Sequence, residues 1–270
     1  MISLNTPSSN NSFYVNRNIT SWYQDGSLWD RINGKNGYVT MEGIYPGCWF
    51  YMNNAINSKE VGNTSTGGRM VLIIGCNSLY NQGEDSLRVT YDHIVCCPYN
   101  HFGLAKMNLT DISTGGYWNS HLQQDIIGSV TSSPDVGGTI NQQLLNEFGS
   151  HLKTYSDIIS SSIDDTLENS IHIETGASSA ETWHDIQAQL MSEVEVYGST
   201  VFSSSAFDIG CAKTQFPAFK NNTGMVNFKQ GYWLKDVVSK TRFACLNHKG
   251  DAYYRKATDM VNVRPKWILS

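Results

Sequence analysis

The sequence predicts an α+β protein in which antiparallel β-sheet dominates. Short β-prone runs separated by turn residues fill most of the chain, whereas helical periodicity is confined to its middle. Charged residues make up only 16% of the 270 positions, and seven Trp and fourteen Tyr supply large aromatic side chains. Such polar, turn-rich sequence with many aromatic residues is typical of β-rich binding domains.

The first predicted strands lie between Trp22 and Met52. Residues 38–45 and 48–52 are β-prone, and the Pro46-Gly47 pair between them is a turn, because Pro fixes φ at one turn position and Gly accepts positive φ at the next. Residues 69–76 and 92–98 are mostly apolar and predict two further strands, the first buried on both faces.

Helices are predicted only in the middle of the chain. Trp118, Leu122 and Ile126 are four residues apart and predict a helix that extends to Val130. A second helix is expected at residues 139–148, ended by Gly149. The remaining chain returns to predicted strands, at residues 154–163, 187–197, 231–238, 242–247, 252–256 and 261–269, with a hairpin turn at 248–251.

Residues 1–20 are polar and rich in Asn and Ser, so we expect an N-terminal arm there. The charges of the later chain fall into two blocks. Residues 111–200 carry thirteen acidic side chains and one basic one, whereas residues 201–270 carry eleven basic and four acidic ones. No linker separates these two blocks, so we expect them to fold together and neutralise each other. In separate domains they would instead indicate a basic and an acidic partner.

Several classes of protein are not expected. The basic end has no run of Lys and Arg and no recognised motif, so nucleic acid is not a predicted partner. No apolar stretch approaches the roughly 18 residues of a spanning helix, so membrane insertion is not predicted. Residues 1–7 do not resemble a signal peptide, and the six cysteines contain no CxxC pair. We therefore expect synthesis in a cytoplasm that keeps thiols reduced.

One cluster contains potential metal ligands, namely His93, Cys96, Cys97 and His101. Adjacent residues on a strand point to opposite faces, so Cys96 and Cys97 cannot both face one ion without a bulge. A tetrahedral structural zinc site also needs a second ligand pair, which the sequence lacks. No metal and no other cofactor is predicted.

Glu193 and Glu195 form a candidate carboxylate pair. On the predicted strand they share one face, and two such groups can approach the separation that glycosidases use. Alternatively, they accept hydrogen bonds or pair with an arginine. No GxSxG, HExxH, P-loop or GxGxxG motif is present. We therefore predict no enzymatic activity and no catalytic residues, and a wall-degrading glycosidase is the alternative.

Four stretches together resemble a family of phage virion and tail-associated domains with a C-type-lectin-like fold. Its relatives include sulfatase-modifying-factor-type domains and the lectin-like tropism determinants of some phages. The Tyr-Trp-Leu-Lys and Val-Arg-Pro pieces, in this order, are the more specific part. The resemblance covers residues 93–265 and is carried by His93–Val95, Pro98, Met107–Thr110, Thr114–Tyr117 and Ser120, then Phe148–Leu152, then Leu190–Gly198, and finally Gly231–Lys235, Gly250, Tyr254 and Val263–Pro265.

The sequence also departs from this family. Lys235 stands where the family often has Arg, and the segments between the last strands are longer and less rich in Ser than those of the family. The active-site cysteine pair of the formylglycine-generating relatives is not recognisable around Cys211 or Cys245, so that oxidase activity is not expected.

The resemblance implies a C-type-lectin-like domain, with two helices and a mainly antiparallel sheet, at residues 93–270. Residues 21–92 then form a small β-rich part that precedes this main domain. It implies a non-catalytic structural protein of a tailed-phage virion, made in the host cytoplasm and used for adhesion on a tail fibre, tail tip or baseplate. The expected partners are other virion proteins, with which it would oligomerise, and a glycan or protein of the host surface. A capsid decoration or head-fibre protein is the alternative.

The closing strands contain the candidate binding residues. Strand alternation puts Phe243, Cys245 and Asn247 on one face and Arg242, Ala244 and Leu246 on the other, and we expect one face to be buried and the other exposed. The resemblance places Tyr254 inward, which leaves Tyr253 and Arg255 outward. We predict Tyr253 and Arg255 as contact residues, with Arg242 and the turn residue His248 beside them. An ordinary solvated face is the alternative.

The predicted structural residues are Trp233, Arg264 and the two glutamates. Trp233 is expected to hold the closing strands together, and Arg264 lies in an apolar run before a proline that favours extended backbone. A buried arginine must be paired, so we predict Glu193 or Glu195 as its partner.

Overall fold

The computed structural model describes residues 15–34, 40–62, 68–129, 138–160, 181–202, 214–227 and 229–270. The largest sheet has five strands, and every neighbouring pair is antiparallel. In sheet order its strands are β1 (Trp49–Tyr51), β3 (Met70–Cys76), β4 (Ile94–Pro98), β13 (Pro265–Leu269) and β8 (Ala188–Leu190). Strands β4, β8 and β13 are buried along their whole length, so this sheet lies at the centre of the core.

The described residues also form three smaller antiparallel sheets. One is the closing sheet, in the order β11 (Ala252–Lys256), β10 (Arg242–Leu246) and β9 (Trp233–Ser239). Another contains β12 (Val261–Asn262), β5 (Gly103–Ala105) and β2 (Val61–Gly62), and the third is the hairpin of β6 (Tyr155–Ser160) and β7 (Glu181–Ile186). The described chain is therefore a mixed α/β protein built mostly of antiparallel sheet, as predicted.

The helices are short. They are α1 (Thr20–Gln24), α2 (Ser27–Ile32), a π-helix (Leu122–Gly128), α3 (Ile140–Phe148), α4 (Glu193–Tyr197) and α5 (Pro217–Asn221). Helix α3 confirms its prediction: the Thr139 side chain accepts a hydrogen bond from Gln142 N, and Gly149 follows the last residue at a φ of +54°. Among the described residues, no helix is both long and apolar enough to cross a membrane.

The N-terminal region differs from its prediction. Helices α1 and α2 occupy the beginning of the expected β-rich part, because Leu28 and Ile32, four residues apart, bury one helical face. The described residues of the expected strand at 38–45 begin with a turn at 40–43. The predicted strand at 48–52 is present as β1.

The predicted boundaries at residues 20 and 92 do not separate structural units. Residues 1–14 of the expected arm lie outside the described part. Within the rest of the arm, Val15 N and Ile19 N donate to Pro46 O and Trp49 O, both at 2.9 Å, and Ile19 is buried. Strand β3 pairs with β4, so one sheet joins chain from both sides of residue 92.

The expected strand at residues 187–197 is correct only as far as Leu190. From Glu193 the chain is helical, because Ser192 and Glu195 form a capping box. The Ser192 side chain accepts from Glu195 N, the Glu195 carboxylate accepts from Ser192 N, and Gly198 ends the helix at a φ of +84°. The two glutamates therefore do not share one face of a strand.

The acidic and basic blocks of the sequence do meet in one body. Lys235 and Lys266 from the basic block pair with Asp157 from the acidic block, at 3.4 and 3.8 Å. Lys266 also pairs with Glu195, and Lys256 pairs with Asp111 at 3.2 Å. Lysines of residues 201–270 thus neutralise acidic side chains of residues 111–200, as expected.

Candidate binding surface

The closing sheet has a central strand that is buried on both faces. Four consecutive residues of β10, from Phe243 to Leu246, are at most 2% exposed. The expectation that one of these faces is exposed is therefore wrong. The end of α4 and the residues after it contact the hairpin of β10 and β11: Tyr197 OH donates to Gly250 O at 3.0 Å, and the Phe202 ring meets the Tyr254 ring edge-on at 5.3 Å.

Strand β11 lies at the edge of the closing sheet and is the exposed part of it. Tyr253 is 40% exposed, Arg255 is exposed, and Tyr254 is half-buried against the core. The structure thus places Tyr253 and Arg255 outward and Tyr254 inward, where the resemblance had put them. Arg242 is half-buried and pairs in register with Lys256 at the end of the same edge.

A row of ring contacts runs from Arg242 of β10 through Tyr254 and Tyr253 to Arg255 of β11, and we call these four residues the Tyr/Arg ladder. Tyr253 and Arg255 are exposed, whereas Arg242 and Tyr254 are half-buried. The Arg255 guanidinium lies 5.2 Å from the Tyr253 ring centre, and the Arg242 guanidinium lies 5.5 Å from the Tyr254 ring centre. The two rings stack at 5.3 Å with their planes 10° apart. Cation–π contacts of this kind hold the long arginine side chains in place before any ligand arrives.

The hairpin turn beside the ladder is held by hydrogen bonds. The Asn247 side-chain oxygen accepts from Lys249 N at 2.8 Å and from Asp251 N at 3.1 Å. Asn227 donates to His248 O at 2.8 Å. The His248 side chain itself is exposed, so it stands next to the ladder on an ordered turn.

This surface is suited to recognition. Tyrosine rings offer apolar area with a hydroxyl at one end, and guanidinium groups offer several donors in a fixed plane. Tyr253, Tyr254 and Arg255 lie on β11, whose neighbour β10 is buried from Phe243 to Leu246, so these side chains stand on a packed scaffold. The Tyr/Arg ladder and His248 can therefore bind a polar or anionic ligand through stacking and hydrogen bonding.

Arg264 is buried and holds several chain segments together. Its guanidinium donates to Pro98 O and Tyr99 O, at 3.1 and 3.2 Å, and to Met225 O and Val226 O, at 3.1 and 3.0 Å. Glu193 and Glu195 were predicted as acidic partners of Arg264, and that prediction is wrong because both have other contacts. Glu195 binds Lys266, and the Glu193 carboxylate accepts from the backbone of Val201 and Phe202.

The remaining predicted residues are interior as well. Trp233 is fully buried and its indole nitrogen donates to Ala105 O at 2.9 Å. Glu193 and Glu195 are at most 1% exposed, so no substrate reaches them in this conformation. The glycosidase alternative assumed that the two carboxylates share one face of a strand, but both residues lie in helix α4.

The potential metal ligands have separate environments. Cys96 and Cys97 are fully buried in β4, where burial raises the pKa of both thiols. His101 Nδ1 accepts from Gly103 N at 3.0 Å. In the part of the chain that the structure describes, no group of three or more His, Cys, Asp or Glu side chains is placed to hold a metal ion.

His93 provides a pH-dependent contribution to stability. Its Nδ1 lies 2.9 Å from Tyr91 O and its Nε2 accepts from Leu79 N at 3.2 Å, so the neutral ring with a proton on Nδ1 satisfies both contacts. Burial lowers the pKa of His93 to about 4.

As the pH falls below about 6.5, the unfolded chain takes up a proton at His93 before the folded protein does. Folding free energy is therefore lost between pH 6.5 and about 4, by about 3 kcal/mol for this group. In His93→Gln, which keeps an acceptor for Leu79 N, we expect a smaller loss across this window. Urea unfolding of both proteins at several pH values tests this, and equal losses would contradict it.

Sequence reasoning missed Asp157, Gln189 and Lys266, which lie with Lys235 and Glu195 in a buried charged cluster. The available signal was a lysine inside an apolar strand, as at Lys266 between Pro265 and Trp267.

Comparisons with protein-family models, curated proteins and solved structures found no match for this chain.

Proposed function

We propose that this protein is a non-catalytic structural component of a tailed-phage virion that binds the host surface through the Tyr/Arg ladder. The observation that carries this proposal is the ladder itself, a row of two arginines and two tyrosines whose exposed members, Tyr253 and Arg255, lie on the edge strand β11. The antiparallel closing sheet is compatible with the C-type-lectin-like fold that the sequence resembles, and we propose that fold for residues 93–270.

The proposed site uses binding rather than chemistry. Exposed aromatic and arginine side chains are enriched where proteins recognise their partners. The side chains considered for catalysis, Glu193 and Glu195, are instead buried and occupied with folding contacts. We therefore propose an adhesin on a tail fibre, tail tip or baseplate, with other virion proteins as its structural partners and a host glycan or protein as its ligand.

The double variant Tyr253→Ala/Arg255→Ala tests the proposal. Both side chains are exposed, so folding should change by about 0.5 kcal/mol or less per substitution. We expect particles carrying the variant to adsorb poorly to host cells while retaining normal amounts of the protein. Adsorption counts and quantitative gels of purified particles measure the two effects separately.

Tyr80→Ala/Arg88→Ala is the matched control, because it removes an exposed tyrosine and an exposed arginine from a different part of the surface. It should adsorb normally. Loss of the double variant from the particle would indicate attachment to a capsomer or another virion protein through this edge, and would contradict the adhesin proposal. Unchanged adsorption and unchanged occupancy would place the binding surface elsewhere, with residues 53–68 as the next region to test.

A further inference from the structure

Four charged side chains meet in the interior, contributed by β6, α4, β9 and β13. The side chains of Asp157, Glu195, Lys235 and Lys266 are at most 6% exposed. Lys266 Nζ contacts Glu195 Oε1 and lies 3.8 Å from Asp157 Oδ2. Lys235 Nζ lies 3.4 Å from the same Asp157 oxygen. Lys266 is thus in contact with both carboxylates of the cluster.

We propose that Lys266 and Asp157 condense into an intramolecular isopeptide bond, with Glu195 as the catalytic acid and base. The bond would join β6 to β13, and so tie the β6–β7 hairpin covalently to the central sheet. The proposal concerns a covalent modification of the chain by its own residues, and it stands independently of what the protein binds.

The lysine has a proton acceptor in contact with it, the carboxylate of Glu195. Transfer from Lys266 Nζ to Glu195 Oε1 leaves a neutral amine, which is the nucleophilic form of lysine. The Phe216 ring, 5.7 Å from Lys266 Nζ, contributes to the apolar surroundings.

The electrophile is held by several donors. Gln189 Nε2 donates to Asp157 Oδ2 at 2.5 Å and to Tyr155 OH at 2.9 Å, and Lys235 Nζ approaches the same Asp157 oxygen. Positive charge and hydrogen-bond donors at this oxygen stabilise the negative charge that develops when an amine attacks the carboxyl carbon. Gln189 and Lys266 face each other across β8 and β13, which fixes the amine beside Asp157. Fixed proximity of this kind replaces a bimolecular collision.

The reaction balances without any added reagent. Lys266 gives one proton to Glu195, and its amine attacks Cγ of Asp157 to form the C–N bond. The nitrogen then loses a second proton, and both protons go to the departing carboxylate oxygen, which leaves as water. Glu195 returns to its starting state, and the ammonium and carboxylate are replaced by one neutral amide. No oxidation or reduction occurs.

The mass of the intact purified chain tests the proposal directly. We expect the protein, unfolded before the measurement, to be lighter than its sequence requires by the mass of one water. Peptide mapping should then recover a branched peptide that joins residue 157 to residue 266. A chain at its full unmodified mass would overturn the proposal, and a branch at Lys235 would overturn the assignment of Lys266.

Variants separate the chemistry from the folding contacts. Lys266→Arg keeps the positive charge but cannot form the amide, so it should have the full mass. Glu195→Gln keeps a side-chain acceptor for Ser192 N but cannot take the lysine proton, so we expect the bond to be lost or to form much more slowly. Complete bond formation in Glu195→Gln would contradict the role of Glu195. If these variants fail to fold, the mass of the unaltered protein still decides the question.

Discussion

Arg264→Ala is expected to yield mostly insoluble protein. The guanidinium satisfies carbonyl oxygens of two separate segments, at residues 98–99 and 225–226, and the residue is 1% exposed. Its removal leaves those carbonyls without these donors and creates a cavity, which together should cost about 3–5 kcal/mol. Because domains have total stabilities of only about 5–15 kcal/mol, such a loss brings the chain close to unfolding. Soluble yield and thermal unfolding of the variant measure the effect.

Two matched variants control for this prediction. Arg255→Ala removes the same kind of side chain from an exposed position and should unfold like the unaltered protein. Arg264→Lys keeps the charge but not the planar set of donors, so it should lie between the two. Normal yield and unchanged thermal unfolding for Arg264→Ala would show that this residue does not hold the segments together.

Trp233→Ala is expected to be the other strongly destabilising change. The indole is fully buried in the closing sheet, and replacing a buried Trp with Ala typically costs about 3–5 kcal/mol. Urea unfolding measures this, provided that the variant remains soluble.

Trp233→Phe is the informative partner of that variant. It retains most of the buried ring but leaves the Ala105 carbonyl without its donor, so a cost of about 1–3 kcal/mol is expected. If Trp233→Ala unfolded at the same urea concentration as the unaltered protein, the closing sheet would not depend on this side chain.

Much of the sheet structure was predictable from local sequence. The apolar run that became β3, the Gly-ended helix α3 and the closing hairpin at residues 248–251 each have a short-range signal that tertiary contacts reinforce. Helix α4 had a signal too, since Ser192 and Glu195 match a capping box. The alternation of Glu193, Val194, Glu195 and Val196 suggests a strand instead, because a five-residue helix is too short to show its own periodicity.

The binding edge was predictable only in part. Alternation correctly separates Tyr253 and Arg255 from Tyr254, but it does not show that β10 is covered on both sides. Tyr197 and Phe202 contact the closing hairpin at Gly250 and Tyr254, although they lie roughly fifty residues earlier in the chain. The partners of Arg264 were unpredictable for a similar reason: backbone carbonyls have no residue signature, so a carboxylate partner was the natural expectation.

A cryo-EM map of the intact virion tests the central claim most directly. The proposed adhesin should appear on the tail, on a fibre, the tip or the baseplate, with β11 facing away from the particle. In that position Tyr253 and Arg255 are free to meet the host surface. Finding the chain on the capsid, or finding the Tyr/Arg ladder buried against a neighbouring virion protein, would contradict the account.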